Sequence, residues 1–517
     1  MKNLKKTLAV INAAVIAALT VSGCGETKTA DSGERKIDFW IPISGAASAV
    51  VENLGETPVY KQLQKDVNAE INFIHPSGGS LAEQFNILMA SDELPDVIQY
   101  DWTKYPGGPQ KAIDDGVILD LSQYKDKLPN LMKYLDEHKD IKKLVETDLG
   151  ALFAFPFIRG DESLCVSWGM VVRKDWLDEL GIEPPETIDE WESMLTAFKE
   201  KKGASAPLCI GTSVFANAQF VGAYNTTMGY YIDKGEVKYG MLQPAFKDFL
   251  TKMHSWYEKG LLDKNFTLLD NTAIDSNILN GESGAIGTSI GNGIGRYMTT
   301  PPDDKFDLIG VKSPVLVKGD TPEFGYLQSP VALQTNSFTA ISTSCKNIDA
   351  ALEIFDYGYS DAGHMLYNFG IEGESYNMID GYPTYTDKIT HAEDGSSMMT
   401  MLSQYTVAYS SGPFVQDKRY MEQYAAIPQQ KQAWKTWTET NMKEHLLPNL
   451  YIKADSQDKL ALLDSAINTY ADEMISKLII GTESLDNYDK IIDGLKERGI
   501  EESLKIRNDA YQSYLKK

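Results

Sequence analysis

The sequence predicts an α/β protein built from two lobes. Its 517 residues exceed what one hydrophobic core normally serves, so at least two lobes are expected. Between residues 36 and 100, strand-like segments alternate with segments of helical periodicity. No internal repeat, low-complexity block or long linker interrupts residues 36–517, which predicts lobes that are interwoven along the chain.

The alternation near the start of the chain predicts a parallel sheet. Strands are predicted at 37–41, at 71–74 and from 97 onward, with helices at 59–67 and 80–91 between them. Strands that alternate with helices form parallel sheets with right-handed crossovers, and ligands bind beyond the carboxyl ends of such strands. Residues 42–44 and 100–102, which follow two of these strands, are therefore predicted to border a cleft.

Four further helices have clear signals. Residues 176–181 form a short helical segment that glycine closes at Gly181. Thr187 and Glu190 have the spacing of a capping box, and three apolar side chains follow them on one helical face. Residues 347–359 and 463–478 carry apolar side chains at helical spacing, which predicts two amphipathic helices.

The N-terminus has the pattern of a secretory signal. Three lysines among the first six residues precede an apolar run at 8–19, which is too short to span a bilayer. The run ends in VSGC, which resembles a bacterial lipobox and predicts a signal peptide at 1–23 with a lipid on the thiol of Cys24. The alternative is an ordinary signal peptide followed by a chance cysteine.

The segment after Cys24 is predicted to tether the protein to a membrane. Residues 24–35 form a polar stretch that cannot bury an apolar face, and two acyl chains anchor a protein stably. No later stretch approaches 18 uninterrupted apolar residues. The mature protein is therefore expected at the extracellular face of the cytoplasmic membrane, held by its lipid.

The net charge, the cysteines and the histidines limit which partners, disulfides and metal sites are expected. The net charge of −24 argues against nucleic acid, because phosphates would be repelled. Cys165, Cys209 and Cys345 are an odd, widely spaced set and are predicted to be small buried residues without disulfides. The six histidines are scattered, so no metal site and no cofactor are predicted.

Several short stretches, taken in order, resemble one family. The family is the extracellular solute-binding proteins of ABC sugar importers (family 1), in the LipO-like lipoprotein branch of Firmicutes. The matching stretches lie at 93–97 (ELPDV), 172–181 (VRKDWLDELG), 280–287 (NGESGAIG), 345–352 (CKNIDAAL), 370–376 (GIEGESY) and 508–511 (NDAY). Each stretch is weak alone, and the set is specific because it spans most of the chain.

The resemblance implies a fold, a function and partners. It implies a two-lobed periplasmic-binding-protein-like fold of type II with hinge strands. The N-terminal lobe is expected to comprise 36–155 plus 323–376, and the C-terminal lobe 156–322 plus 377–517. It implies a monomeric, non-enzymatic receptor that closes on an extracellular carbohydrate, expected to be an oligosaccharide, and delivers it to ABC permease subunits. One segment departs from relatives that bind acidic oligosaccharides: 199–204 (KEKKGA) lacks the oxygen ligands of their calcium loop, so no calcium is predicted there.

Nine residues are predicted to bind the ligand, because aromatic rings cover sugar faces and polar side chains bond to hydroxyls. Four follow or end strands at the predicted cleft edge, one precedes a strand at the entry to the second lobe, two lie in the glycine-rich segment 287–295, and two flank segments that resemble the family's lobe crossings. They are, in that order, Trp40, Tyr100, Asp101 and Trp102; Trp168; Asn292 and Arg296; Tyr326 and Tyr376.

Other functions remain open at this level. Residues 287–291 (GTSIG) have the spacing of a nucleophile elbow, but the following Asn-Gly-Ile-Gly is a poor helix start, so a loop is predicted instead. A binding protein for a peptide or another organic solute is the closest alternative. A surface glycoside hydrolase is the alternative from another class, since paired carboxylates are assembled in space and leave no spacing signature.

Overall fold

The predicted alternation of strands and helices is present in the first hundred residues of the structure. The computed structural model describes residues 35–91, 93–331 and 337–517. The predicted signal peptide, Cys24 and nearly all of the 24–35 tether lie outside the described residues.

The strands are short, and most of them belong to two sheets. They are β1 Lys36–Trp40, β2 Glu70–Ile74, β3 Val97–Tyr100, β4 Phe155–Pro156, β5 Ile158–Arg159, β6 Trp168–Arg173, β7 Leu208–Cys209, β8 Tyr230–Asp233, β9 Glu236–Tyr239, β10 Ala285–Ser289, β11 Leu308–Val311, β12 Phe338–Ile341, β13 Tyr376–Ile379, β14 Tyr382–Tyr385 and β15 Val415–Gln416.

The helices surround these sheets. They are α1 Gly45–Ser48, α2 Pro58–Asp66, α3 Leu81–Met89, α4 Gly108–Asp114, α5 Pro129–Glu137, α6 Lys139–Val145, α7 Lys174–Leu180, α8 Ile188–Lys202, α9 Thr212–Ala216, α10 Pro244–Glu258, α11 Asn271–Leu279, α12 Arg296–Thr299, α13 Ile348–Asp356, α14 Asp361–Phe369, α15 Asp387–Thr390, α16 Met398–Tyr405, α17 Lys418–Tyr424, α18 Pro428–Trp437, α19 Ala454–Ile480, α20 Tyr488–Glu497 and α21 Ile500–Lys516.

The first sheet has the strand order β2-β1-β3-β12-β4. Strand β1 pairs in parallel with both β2 and β3, as the strand–helix alternation predicts. The β12 strand arrives from far along the chain and runs antiparallel to β3 and β4. Because β1 and β3 are covered on both faces, their apolar side chains are buried, and Phe39 packs edge-on against Phe355 of α13 at 5.1 Å.

The second sheet has the order β11-β6-β10-β7 and a core of its own. Helices α8, α10 and α19 supply large buried side chains to this core, among them Trp191, Phe198, Trp256 and Ile467. The predicted helix at 463–478 is therefore present as part of α19, with Ile467 and Leu478 fully buried. Among the described residues, no helix is both long and apolar enough to cross a membrane.

The chain passes between the two sheets along three segments of its described part. The first segment joins β4 of the first sheet to β6 of the second, and the second segment joins β11 of the second sheet back to β12 of the first. The third segment joins α16 to α18. Helix α16 packs on α1 near the first sheet, and α18 packs on β11 of the second sheet. Parts of these segments pair with one another. Strand β5 runs parallel to β15, and Ile158 also forms an antiparallel bridge with Val331. We call β5, β15 and residues 328–331 the crossing strands.

The predicted lobe boundaries stay a prediction, and the packing of α16 bears on one of them. The boundary at 376 assigns the following residues to the second lobe. In the structure, however, α16 at 398–405 contacts α1 and α2, which belong to the first sheet's surroundings. These contacts favour a last crossing near β15, about forty residues later along the chain.

The glycine-rich segment 287–295 is not the predicted loop. Residues 285–289 form β10, and Ile290–Gly295 wind into a π-helical turn that continues as α12. Glycine is needed there because neighbouring side chains lie close to the backbone, and not because the backbone turns sharply. A Cβ at Gly291 would collide with Tyr424, and one at Gly293 would collide with Thr288. Ser289, at the elbow position, has an ordinary extended φ of −89°.

The three later cysteines are buried and free, as predicted. Burial is the main cause that raises the pKa of each thiol, to about 11 for Cys165 and about 12 for Cys209 and Cys345. All three therefore stay protonated at neutral pH and act as small apolar side chains.

The predicted capping box at the start of α8 is present. The Glu190 backbone N–H donates to Thr187 Oγ1 at 3.2 Å, and the Thr187 N–H donates to Glu190 Oε2 at 3.1 Å. Thr187→Ala should lower the free energy of unfolding by about 1 kcal/mol, because an orphan donor of the first turn loses its acceptor. The midpoint of urea unfolding, followed by circular dichroism, measures this loss.

Ser193→Ala on the same helix is the matched control for Thr187→Ala. Ser193 is exposed and donates to the Asp189 carbonyl within the helix, so its loss should leave the midpoint unchanged within error. Equal midpoints for Thr187→Ala and wild type would show that the cap contributes no stability.

Candidate functional site

A cavity of about 550 Å³ opens beside the crossing strands. Its wall combines residues from β5 and β15, from the end of β10, from the segments before and after β15, and from α17. The lining residues are Phe157, Arg159, Leu164, Ser167, Ser289, Ile290, Gly291, Asn292, Gln328, Met399, Ala408, Tyr409, Ser410, Ser411, Gln416, Tyr420, Met421 and Tyr424. We call this space the cleft cavity.

The cleft cavity is lined by the end of a strand of the second sheet and by a helix that packs beside the first sheet, which makes it sensitive to the relative orientation of the two sheets. Ser289 ends β10 of the second sheet, whereas Met399 lies on α16, which packs on α1 beside the first sheet. Between them stand the crossing strands, where the Ile158 N–H donates to the Phe414 carbonyl at 3.1 Å and the Arg159 N–H donates to the Pro330 carbonyl at 2.8 Å. A small rotation about these strands would therefore change the width of the cavity.

Tyrosine rings supply the aromatic surface of the cavity. Tyr420 and Tyr424 lie one turn apart on α17, with ring centroids 5.8 Å apart and ring planes only 9° from parallel. Tyr420 is buried, whereas Tyr424 and Tyr409 are half-buried. Desolvation raises the pKa of Tyr424, so its phenol stays neutral and can donate a hydrogen bond.

The remaining wall is rich in neutral polar groups. Ser167, Ser289, Asn292, Gln328 and Gln416 offer hydroxyls and amides, and Gln416 is itself fixed by donating from Nε2 to the Ala408 carbonyl at 2.6 Å. Such groups act as both donor and acceptor, which matches a ligand that carries hydroxyls.

A second, smaller cavity of about 40 Å³ adjoins the first and shares Tyr409, Ser410 and Ser411 with it. Its wall includes Pro42 and Ser44, from the segment that follows β1. Ser44 caps α1 by accepting from the Ala47 N–H at 3.2 Å. The carboxyl end of β1 thus lies next to this space, in agreement with the predicted cleft edge at 42–44.

A buried polar network lies directly behind Gln416. The Asp417 carboxylate accepts from Arg419 at 2.5 Å and from His364 Nε2 at 2.9 Å, and the Asp417 N–H donates to Asn368 Oδ1 at 2.8 Å. Asn368 also donates to the Val415 carbonyl at 2.9 Å, so it holds β15 from behind. This network fixes the strand that carries Gln416 and the start of α17.

Desolvation is the largest influence on Asp417 and would by itself raise its pKa. The hydrogen bonds from His364 and Arg419 outweigh it and hold the pKa well below the usual range of an aspartate. The carboxylate is therefore charged at any pH near neutrality, and its charge is balanced by Arg419.

Three of the predicted aromatic residues are core residues in the structure. Trp40, Tyr100 and Trp102 are 4%, 4% and 0% exposed, and Tyr100 stacks on Phe85 with centroids 3.7 Å apart. Trp40 and Tyr100 end strands whose last residues are buried, and Trp102 begins the short helical turn after β3, where its ring meets Phe85 edge-on at 5.4 Å. Their positions support a packing role rather than ligand contact.

Asp101 and Tyr376 are also buried away from the cavity wall. Asp101 accepts from Thr103 Oγ1 at 2.6 Å and caps a short helical turn, and burial raises its pKa. Tyr376 is 5% exposed on β13 and packs against Phe369 at 6.0 Å. Each has a structural role that the sequence alone does not reveal.

The other four predicted residues lie near the cavity, and one of them lines it. Asn292 is exposed and part of the wall. Trp168 and Tyr326 are half-buried, pack together at 5.8 Å, and neighbour the lining residues Ser167 and Gln328 closely along the chain. Arg296 is exposed and donates to Asp275 at 2.6 Å instead.

Sequence reasoning missed the residues of α17 and of 408–416. Tyr420 and Tyr424 have the spacing of one helical face, which is a signal, but 27 tyrosines offer many such pairs. Among the described residues, no group of three or more His, Cys, Asp or Glu side chains is placed to hold a metal ion.

Comparison with known proteins gives the family. Residues 44–365 match the family of bacterial extracellular solute-binding proteins. The chain belongs to that family. The resemblance on which the sequence-based prediction depends is thereby confirmed.

Individual relatives match along almost the whole chain. The lipoprotein LipO of Bacillus subtilis is 24% identical over 96% of this chain and 97% of its own. The fructooligosaccharide ABC transporter substrate-binding protein FusA of Streptococcus pneumoniae is 22% identical over 98% and 97%.

Among solved structures, the fold is close to that of an HMO binding, ABC-transporter-associated solute-binding protein from Bifidobacterium longum infantis. That structure has a TM-score of 0.75 and 20% identity, and it covers 93% of this chain and 99% of its own. The predicted two-lobed α/β fold is confirmed, since the structural neighbours are two-lobed solute-binding proteins with the same mixture of helices and strands.

Asp417→Asn should destabilise the protein at pH 7, because Arg419 and His364 lose a charged acceptor in a buried position. A carboxyl whose pKa is lowered by folding contributes stability above its unfolded pKa of about 3.9 and loses it as the pH falls below that value. The difference between wild type and variant should therefore be constant from pH 7 to about 5 and shrink toward pH 3.

Urea-unfolding midpoints at each pH test this expectation for Asp417, with Asp126→Asn at an exposed carboxylate as the control that should match wild type throughout. A difference that grows as the pH falls would contradict the assigned protonation state.

Proposed function

We propose that this protein captures an extracellular saccharide between its lobes and delivers it to the permease of an ABC importer. The observation that carries the proposal is the cleft cavity, which has tyrosine rings and neutral hydrogen-bonding groups. It lies at the strands that connect the two sheets, between β10 of the second sheet and α16 beside the first. Membership of the solute-binding family supports it, as does the similarity to FusA, a fructooligosaccharide ABC transporter substrate-binding protein.

The cavity wall has the chemistry that a sugar needs. Sugars present apolar C–H faces and a rim of hydroxyls, so a binding site combines aromatic rings with directional donors and acceptors. Tyr424 and Tyr409 offer partly exposed rings, and Asn292 and Gln416 offer amides. A volume of about 550 Å³ lies within the range of small-ligand sites and holds a short oligosaccharide.

Binding is proposed to close the cleft by rotation about the crossing strands. A ligand that touches both sides of the cavity stabilises the closed form over the open one, and closure presents a shape that the permease can distinguish. The proposed last crossing lies at β15, which includes Gln416 of the cavity wall. The protein itself performs no covalent chemistry in this cycle.

The proposal includes the membrane anchor at Cys24. The VSGC sequence and the lipoprotein LipO among the relatives support a diacylglyceryl anchor on the outer face of the cytoplasmic membrane. The polar segment 24–35 then holds a monomeric receptor close to its permease.

A screen of thermal unfolding against a panel of oligosaccharides tests the proposed function. The correct saccharide should raise the melting temperature, with a stabilisation that grows as the logarithm of ligand concentration above Kd. The saccharide should also be recovered intact, without new reducing ends. New reducing ends would favour the glycoside hydrolase, and a shift with peptides alone would favour a peptide receptor.

Tyr424→Ala should weaken saccharide binding by roughly tenfold or more, because a ring that covers a sugar face is worth about 1–3 kcal/mol when removed. Isothermal titration calorimetry measures the change. Tyr514→Ala near the C-terminus, where the ring stacks on Tyr511 far along the chain from the cavity wall, is the matched control and should keep wild-type affinity. Unchanged affinity in Tyr424→Ala would remove the cleft cavity as the binding site.

Cys24→Ser should release the protein from membranes, because no thiol is left to receive the lipid. Membrane and medium fractions of expressing bacteria, probed by immunoblot, measure the distribution. Cys165→Ser, which changes a buried cysteine, is the control that should stay with the membrane fraction. A membrane-bound Cys24→Ser variant would contradict the proposed anchor.

A further inference from the structure

Arg159 is the one charged side chain among the described residues that line the cleft cavity. The other lining residues are aliphatic, aromatic, hydroxyl or amide side chains, or glycine. The adjoining small cavity is likewise lined by uncharged residues, as far as the chain is described. A protein with 73 acidic and 49 basic residues thus places a lone cation in its proposed binding site.

This guanidinium forms no ion pair with any described carboxylate. Its Nη1 donates to the Ser329 carbonyl at 2.8 Å, which uses one of its five N–H groups. Desolvation lowers the pKa of Arg159, yet a guanidinium stays protonated at any physiological pH. The positive charge is therefore partly removed from water and not balanced by a protein anion.

Arg159 also lines a neighbouring cavity of about 450 Å³, which it shares with the carboxylates Asp140, Asp161 and Glu162, although it forms an ion pair with none of them. Asp161 lies 3.6 Å from Lys418, and Glu162 pairs with Lys443. Asp417, next to Gln416, is held by Arg419 and His364. None of them needs Arg159, and none supplies it with a counter-charge.

The Arg159 side chain borders the cleft cavity as well as that neighbouring cavity. Phe157 and Arg159 are two residues apart on and beside β5, so their side chains leave the same face. The guanidinium carbon lies 5.5 Å from the centroid of the Phe157 ring, which is part of the cavity wall. Its backbone N–H donates to the Pro330 carbonyl at 2.8 Å, and the following N–H, of Gly160, donates to the Gln416 carbonyl at 3.0 Å.

We propose that the natural ligand is an anionic saccharide and that Arg159 binds its carboxylate. This inference rests on the proposed function and names the substrate class of the same site. A planar guanidinium matches a carboxylate with two parallel hydrogen bonds, which fixes the orientation of the sugar as well as its charge. Arg159 is thus the specificity-determining residue, and the tyrosines bind the sugar rings on either side.

A neutral sugar fits this wall less well for two reasons. It would displace water from the guanidinium without supplying a counter-charge, and leaving a desolvated charge unpaired is costly. In addition, the described wall offers no carboxylate to accept hydrogen bonds from sugar hydroxyls. Neutral amides and the one cation must therefore distinguish one sugar from another. An anionic sugar satisfies the cation and still uses the amides.

Calorimetry with two matched pairs of ligands tests the inference. The first pair is trigalacturonate and its fully methyl-esterified form, and the second is sialyllactose and lactose. Wild-type protein should bind the acidic member of at least one pair on the order of 30-fold or more tighter than its neutral counterpart. Binding of the acid should weaken as salt rises, because the ion pair is screened.

Arg159→Gln should remove that difference, lowering affinity for the acid on the order of 30-fold while changing affinity for the neutral partner little. Arg159→Lys, which keeps the charge but not the planar fork, should retain part of it. Arg498→Gln is the control, since that guanidinium also donates to a backbone carbonyl, of Gly494, but lies outside the cavity wall; it should match wild type.

Asn292→Asp gives a second arm that leaves the crossing strands intact. It places a negative charge on an exposed position of the wall with almost no change in shape, so it should weaken binding of the acid more than of its neutral partner. Equal or better affinity for the neutral member of both pairs would overturn the anionic assignment and leave the proposed function standing. Failure of every saccharide, in these pairs and in the wider panel, would overturn the proposed function itself.

Discussion

The backbone pairing of the crossing strands is the constraint on which the rest of the molecule depends. Strands β5 and β15 are only two residues long, and the Ile158–Val331 bridge adds a single contact on the other side. Ile158 and Val415 are more than 250 residues apart along the chain, and Ile158 and Val331 are more than 170 apart. A connection this narrow can bend, but buried apolar side chains also continue from the first sheet onto one face of the second, among them Val171, Ile286 and Leu308.

The cleft cavity follows from that arrangement. It lies against the crossing strands, so the groups that contact the ligand are also the groups that sense rotation of the lobes. The Asp417–Arg419–His364 network stiffens β15 from behind, through Asn368, and it does so with charges that are balanced among themselves. Arg159 differs from these residues in having no such partner. The charged groups behind the wall are paired with one another, whereas the guanidinium in the wall has no carboxylate partner among the described residues. The wall of the cleft cavity therefore carries a positive charge.

Local signals predicted the elements well where a short segment decides its own structure. The capping box at Thr187 and the closing Gly181 lie where their spacing indicates, since each depends on backbone groups within one helical turn. The glycine-rich 287–295 segment shows the limit of such reasoning. Its poor helix propensity predicts a loop, but the close packing of Tyr424 on Gly291 and of Thr288 on Gly293 favours a π-helical turn that propensity alone cannot indicate.

By itself the sequence determined the fold class, the parallel start of the first sheet, the burial of the cysteines and the family, because these depend on periodicity, composition and the order of local motifs. It placed one predicted ligand-binding residue, Asn292, in the cavity wall. It could not separate the rings of Trp40 and Trp102, which end in the core, from those of Tyr409 and Tyr424, which border the cavity. That choice was made only by the tertiary structure, since the wall is assembled from segments between 157 and 424 that meet through long-range strand pairing and leave no spacing signature along the chain.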